Sequence, residues 1–265
     1  MMNGKFISES PTMAPVVQTV EKIATMDLSL LIVGEQGTGK EWMARIIHES
    51  SSRAQKPFWA VDCDSNSPEN MEKEILGYEA ISRDGVVINR GAFEEAQGGT
   101  LLLNHIEGLE TSVQKKIARV LEYKTLHRVG GEQVVPVDVR IIATLRQHGE
   151  HNGRNGNQIE DIFSRISPIV IELPPLRKRR EDIPLLIRKF VSEMQTHQRT
   201  TVQGISAEAL GLCLRHHWPG NIRNLRNAIE YASVMCTGPL IQPQDLPDYL
   251  IENHPKRASS AARIS

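Results

Sequence analysis

Lys40 closes the run Gly34-Glu35-Gln36-Gly37-Thr38-Gly39-Lys40, and Glu41 follows it. Residues of these types at this spacing can hold phosphate. The glycines let backbone N–H groups converge on phosphate oxygens without a Cβ in the way. A helix starting here adds the favourable end of its dipole, and Lys40 adds a point charge for β- and γ-phosphates. The apolar run Leu28-Ser29-Leu30-Leu31-Ile32-Val33 predicts a buried strand before the turn, and Glu41 to His48 predicts a helix after it. Strand, glycine turn and helix in that order are the context a P-loop requires. The alternative is an ordinary glycine turn. Glu41 stands where most P-loops place Ser or Thr for Mg²⁺, and the nearest hydroxyl is Thr38, two positions earlier.

The elements that must position this loop are legible as an alternation. Strand candidates are 28–33, 57–61, 100–103, 139–144 and 168–171, with helices between them. In the clearest helix, 112–123, Val113, Ile117, Val120 and Leu121 recur at helical spacing. Thr111, with Gln114 three residues on, reads as its capping box. Such alternation predicts an α/β fold, a parallel sheet covered on both faces. After Leu173-Pro174-Pro175 the pattern changes. Residues 181–195, 207–216, 221–235 and 244–251 read as helices with no strand among them, and Ser206 is placed to cap the second. We therefore expect a nucleotide-binding core over 1–174, a helical subdomain over 175–252 and a weakly basic, disordered tail over 253–265. His148 and His151 fall in a stretch rich in Gly, Asn and His, where loop polarity explains them better than metal.

The totals narrow the function classes. A length of 265 residues suits one large domain or a core with a smaller second one. A net charge of −1 lacks the basic excess of a dedicated nucleic-acid binder. Cys63, Cys213 and Cys236 are far apart and form no metal-type pair, so they read as reduced core residues. No apolar run approaches the ~18 residues that span a bilayer. No h-region follows the first residues, so no signal peptide is expected and the location expected is cytoplasmic.

Several segments, in order, resemble the AAA+ domain of bacterial enhancer-binding proteins, the ATPases that activate sigma-54 RNA polymerase. They are 34–41, Pro57-Phe58-Trp59-Ala60-Val61-Asp62-Cys63, Gly98-Gly99-Thr100-Leu101-Leu102-Leu103, Arg128-Val129-Gly130-Gly131, Asp138-Val139-Arg140-Ile141-Ile142-Ala143, Leu173-Pro174-Pro175-Leu176-Arg177 and Trp218-Pro219-Gly220-Asn221-Ile222-Arg223. The resemblance covers about residues 6–250 and implies a P-loop AAA+ αβα core with a C-terminal helical lid. It also implies ATP or ADP as ligand, bound by Gly34, Glu35, Gln36, Gly37, Thr38, Gly39, Lys40 and Glu41, with Arg223 as the lid arginine that senses nucleotide. The implied assembly is a ring with nucleotide between subunits.

The chain departs from that family where chemistry is done. The family's Walker B strand ends in Asp-Glu; here Asn104-His105 follows Leu103. The Asp orders Mg²⁺ and the Glu polarises the attacking water. Even two unit charges at ~4 Å are worth about 4 kcal/mol at an effective dielectric of ~20, so Mg²⁺ binding is expected to be weakened. Loss of a general base costs roughly 10²–10⁴ in rate. His105 could take a proton only with the reach of a Glu, and an inert replacement is the better reading. The sensor Asn is replaced within Thr144-Leu145-Arg146, and Asp62 stands where the family uses a switch Asn. Of two finger arginines, the first falls on Ile159 and the second survives as Arg165, a candidate catalytic residue acting in trans. Its alternative is a surface ion pair with Glu160 or Asp161.

Gly91-Ala92-Phe93 imitates the start of the GAFTGA loop that grips sigma-54, but it leads directly into Gly98-Gly99-Thr100 and belongs to a later segment. The true loop position reads Ile81-Ser82-Arg83-Asp84-Gly85-Val86, with a charged pair where an aromatic and a hydroxyl are used. About fifteen residues follow the lid, leaving no room for a helix-turn-helix, so no DNA-binding domain is expected. The basic cluster Arg177-Lys178-Arg179-Arg180 matches similar residues at the family's core–lid junction.

The reading that results is an ATP- or ADP-binding AAA+ module acting in transcription regulation, with weak or no hydrolysis. It would assemble with itself or a related AAA+ protein. Its rivals are an active ATPase that remodels sigma-54 RNA polymerase, and a decayed gene product that keeps only the fold.

Overall fold

The computed structural model describes residues 8–82, 85–147, 169–196 and 201–251. They divide into two compact units. One runs from Met13 to Pro174; the other joins the chain from Pro175 onward to the short segment that ends at Thr12.

The first unit is built on a five-stranded sheet. β1 (Leu30–Gly34), β2 (Phe58–Asp62), β5 (Thr100–Asn104), β8 (Arg140–Arg146) and β9 (Ile169–Glu172) lie in the order β2-β5-β8-β1-β9. All four pairings are parallel. These are the five strands expected from the sequence, displaced by one or two residues. Side chains alternate across the sheet. Leu31, Val33, Leu101, Leu103, Ile141 and Ala143 share a core with α3 (Pro68–Leu76), the short α4 (Ala92–Glu95) and α5 (Thr111–Tyr123). Leu30, Ile32, Leu102 and Ile142 share another with α1 (Ala14–Ala24) and α2 (Lys40–Glu49). The result is helices on both faces of a parallel sheet, each fully buried aliphatic side chain contributing about 1.5–3 kcal/mol.

Two polar fixtures set the sheet against its surroundings. Arg140, buried at the start of β8, donates to Ala24 O at 3.0 Å, Ile23 O at 3.1 Å and Leu28 O at 3.2 Å, which satisfies the last carbonyls of α1. Gly99 precedes β5 where a Cβ would stand 2.0 Å from Pro57 O, so only glycine admits this approach of β5 to β2.

Local expectations failed at three places. The residue before the helix is Glu110 rather than Thr111 and makes no side-chain cap bond, and Gln114 donates its amide to Leu109 O at 2.7 Å instead of closing a capping box. Two hairpins were not foreseen: β3 (Tyr78–Ser82) with β4 (Gly85–Asn89), and β6 (Thr125–His127) with β7 (Val134–Pro136). Arg83 and Asp84, which lie between β3 and β4 in the sequence, fall outside the described residues, as do His148, His151 and the tail.

The second unit holds the helices Asp182–Thr196, Ala207–Arg215 and Asn221–Met235 around Trp218, Leu225 and Ile229. Ser206 caps the second of these, its hydroxyl accepting from Ala209 N at 3.2 Å. The expectation of helices alone is corrected by a two-residue parallel pair, Gly204–Ile205 with Leu240–Ile241. Residues 244–251 are not one helix either. Pro247 separates a 3₁₀ turn, Pro243–Asp245, from a single helical turn, Asp248–Ile251.

Candidate functional site

β1 delivers the chain to the glycine loop and α2 carries it away. Gly37 and Gly39 hold φ of 77° and 98°, left-handed values that a side chain would strain. Gly39 is the N-cap of α2, whose first residue is Lys40. The loop is closed on itself. Lys40 Nζ donates to Gly34 O at 2.8 Å and Glu35 O at 3.0 Å, and Thr38 Oγ1 donates to Glu35 O at 2.8 Å. The N–H groups in the first turn of α2, together with the buried Lys40, form a ready anion site.

The carboxyl ends of β2, β5 and β8 complete the neighbourhood. Asp62 is in register with Asn104, and Gly34 with Arg146. Thr144, fully buried, bridges two residues: its hydroxyl donates to Asn104 Oδ1 at 3.1 Å and accepts from His105 N at 3.1 Å. His105 takes a left-handed φ of 55° and places Nδ1 2.9 Å from Asp62 Oδ1. Burial works to raise the Asp62 carboxyl, but the His105 hydrogen bond and charge, with the Asp64 amide, hold it below the usual range. Glu107 accepts from Arg146 N at 3.2 and 3.3 Å. The Arg146 guanidinium lies 3.7 Å from Glu107 Oε1 and 3.9 Å from Asp64 Oδ2, with Nε buried and without a hydrogen-bond partner.

Strand alternation fixes which face these groups occupy. Ile32, Leu102 and Ile142 pack with α2, so Gly34, Asn104, Thr144 and Arg146, each two or four residues further on, lie on that face. The P-loop, the Walker B position and the sensor position are thus gathered at one end of the sheet. The β8–β1 boundary is also where strand order reverses, the place where open α/β sheets bind ligands.

The Asn104 position offers Mg²⁺ no carboxylate. Such ions are held through one or two carboxylates with phosphate and water. Asn104 is neutral, its oxygen accepts from Thr144, and the Thr38 hydroxyl is turned to Glu35 O. Among the described residues no group of three or more His, Cys, Asp or Glu could hold a metal.

In the second unit Arg223 is exposed, on the third residue of the helix that begins at Asn221. The preceding segment is rigidly held: Trp218 is fully buried at φ 51°, and buried Asn221 accepts from Leu176 N at 2.7 Å. Arg165 lies outside the described residues. Sequence reasoning missed Glu107 and Asp64, because no spacing rule joins them to Arg146. At the β3–β4 hairpin Ile81 is 94% exposed, and Val86 and Ile88 are exposed too. No helix among the described residues is long and apolar enough to cross a membrane.

A profile described as the sigma-54 interaction domain matches residues 6–172, and one described as an AAA+ ATPase lid domain matches 177–263. The chain belongs to the sigma-54 interaction domain family. This sigma-54 interaction domain is similar to the regulatory protein AtoC of Escherichia coli K12, 40% identical over 245 residues, covering 92% of this chain and 53% of AtoC. It is also similar to the transcriptional regulatory protein ZraR of Klebsiella oxytoca, 37% identical over 242 residues, covering 91% and 55%. Among solved structures, NtrX from Brucella abortus in complex with ATP matches with a TM-score of 0.86 and 35% identity, over 97% of this chain and 57% of that one. The chain spans about half the length of the curated relatives it matches.

Proposed function

We propose that this AAA+ module binds ATP or ADP at Gly34–Lys40 and acts in transcription regulation with weak or no hydrolysis. The observation that carries the binding is the loop itself: two left-handed glycines deliver the chain into the N-terminus of α2, with Lys40 at its first position. NtrX, a solved relative, is described in complex with ADP and with ATP. Arg223 is the residue we expect to sense nucleotide from the lid.

Weak hydrolysis rests on Asn104. Its amide offers the metal no charge and is already engaged with Thr144. His105 replaces the carboxylate that would polarise water, and Arg146 replaces a neutral sensor. The module would then work through assembly with itself or an active relative, where Arg165 could reach a neighbour's nucleotide. The charged pair Arg83 and Asp84 argues against the usual grip on sigma-54 RNA polymerase.

The Asp62–His105 hydrogen bond favours a second reading, an active ATPase in which the oriented imidazole accepts the proton of water. One experiment separates the two: ATP turnover measured beside nucleotide affinity on the purified chain. Tight binding with turnover far below 1 s⁻¹, the low end of typical enzymes, supports the first. Open-complex assays with sigma-54 polymerase, with and without an active relative, then test the regulatory role.

A further inference from the structure

The geometry points to a nucleotide site that works without a divalent cation, Arg146 supplying beside Lys40 the positive charge that a metal would bring. The inference rests on the nucleotide reading above and asks what neutralises the phosphates.

Three observations carry it. The first is position. Arg146 is the register partner of Gly34, the residue that opens the glycine loop, and Gln147 N donates to Gly34 O at 3.1 Å. Neighbouring strands lie about 4.8 Å apart, and strand alternation puts the Arg146 side chain on the face that bears α2. The guanidinium therefore shares that face with the N-terminus at which the phosphates would rest.

The second is unmet hydrogen-bonding capacity. Nε is buried and donates to nothing, and the ion-pair distances of 3.7 and 3.9 Å to Glu107 and Asp64 are too long for hydrogen bonds. A guanidinium held between two carboxylates without a hydrogen bond to either can donate to a phosphate oxygen, whose charge-assisted bonds are stronger. The third is the replacement of charge itself. Asn104 removes a negative charge at the end of β5, and Arg146 places a positive one at the end of the adjoining strand β8. At the end of β5 a Mg²⁺ ion would meet a neutral amide, whereas an uncomplexed triphosphate has Lys40 and, in competition with Glu107 and Asp64, Arg146 to bind it.

The test is calorimetric titration of the purified chain with ATP, in MgCl₂ and in EDTA. Metal-free affinity is expected within about tenfold of that with Mg²⁺, the span of 1.4 kcal/mol. In EDTA, Arg146→Ala is expected to lose at least about tenfold and Arg146→Lys to lose less than that, keeping the charge but not the Nε donor, with melting temperatures confirming that both fold. Asn104→Asp is expected to weaken metal-free binding and to make it respond to Mg²⁺. Binding in MgCl₂ that disappears in EDTA would overturn the inference and leave the nucleotide reading standing. Unchanged metal-free affinity in a folded Arg146→Ala protein would also overturn it. No binding in either buffer would overturn the nucleotide reading itself.

Discussion

Asn104 and His105, adjacent in the chain, are held by opposite roles of one hydroxyl: Thr144 Oγ1 donates to the side chain of the first and accepts from the backbone of the second. A single buried group on β8 thus sets both residues at the end of β5. It engages one lone pair of Asn104 Oδ1, and His105 bonds with Asp62.

Removing the P-loop cation should abolish nucleotide binding. Lys40→Ala deletes the only lysine of the loop and also two bonds that close it on itself. Calorimetry with ATP and ADP checks this; an unchanged affinity would mean the loop is not a nucleotide site.

Hydrolysis should be very slow in the chain as it stands and should rise with Asn104→Asp combined with His105→Glu. The restored glutamate must adopt the left-handed backbone that His105 already holds. Phosphate release under saturating ATP measures the rate. Turnover near 1 s⁻¹ in the unaltered chain would instead favour His105 as a base.

Acid should loosen the first unit through Glu94. Arg128, itself almost fully buried, donates Nε to Glu94 Oε1 at 2.9 Å and Nη2 to Oε2 at 2.7 Å, and Nη1 to Glu79 at 2.9 Å. The Arg128 hydrogen bonds hold the Glu94 carboxyl below the usual glutamate range. A depressed carboxylate contributes stability above its unfolded value, near 4.3, and loses it as pH falls through the folded value. Urea midpoints should thus drop below about pH 4. Glu94→Gln should cost about 2 kcal/mol at neutral pH and flatten that drop.

In the second unit the anchor is Trp218. It is fully buried, donates Nε1 to Cys213 O at 2.7 Å and meets the His216 ring edge-on at 4.6 Å. Trp218→Ala should cost about 3–5 kcal/mol, and Trp218→Phe about 1–2 kcal/mol through the lost hydrogen bond. Thermal melts followed by circular dichroism read both.

The inner strands β1, β5 and β8 were legible because each is a short apolar run, and burial on both faces leaves little else for such a run to do; the outer strands β2 and β9, partly exposed, were legible from their place in the alternation. Ser206 was legible because a cap is decided within one turn. The β3–β4 hairpin was not. Ile81 and Val86 are exposed, so neither burial nor alternation marks the strands; only their pairing does. The pair Gly204–Ile205 and Leu240–Ile241 is too short for any pattern. At the site, residue types announced the loop and the missing carboxylates. Which group answers them depended on register: Asp62 meets Asn104, and Arg146 meets Gly34, across separations that local chemistry does not encode.

The same hairpin governs how the protein behaves in a concentrated solution. Ile81, Val86, Val87 and Ile88 present an apolar strip to water, while a net charge of −1 gives two approaching molecules almost no mutual repulsion. Replacing one or two of these side chains with lysine would put charge on an exposed strand pair without touching either core.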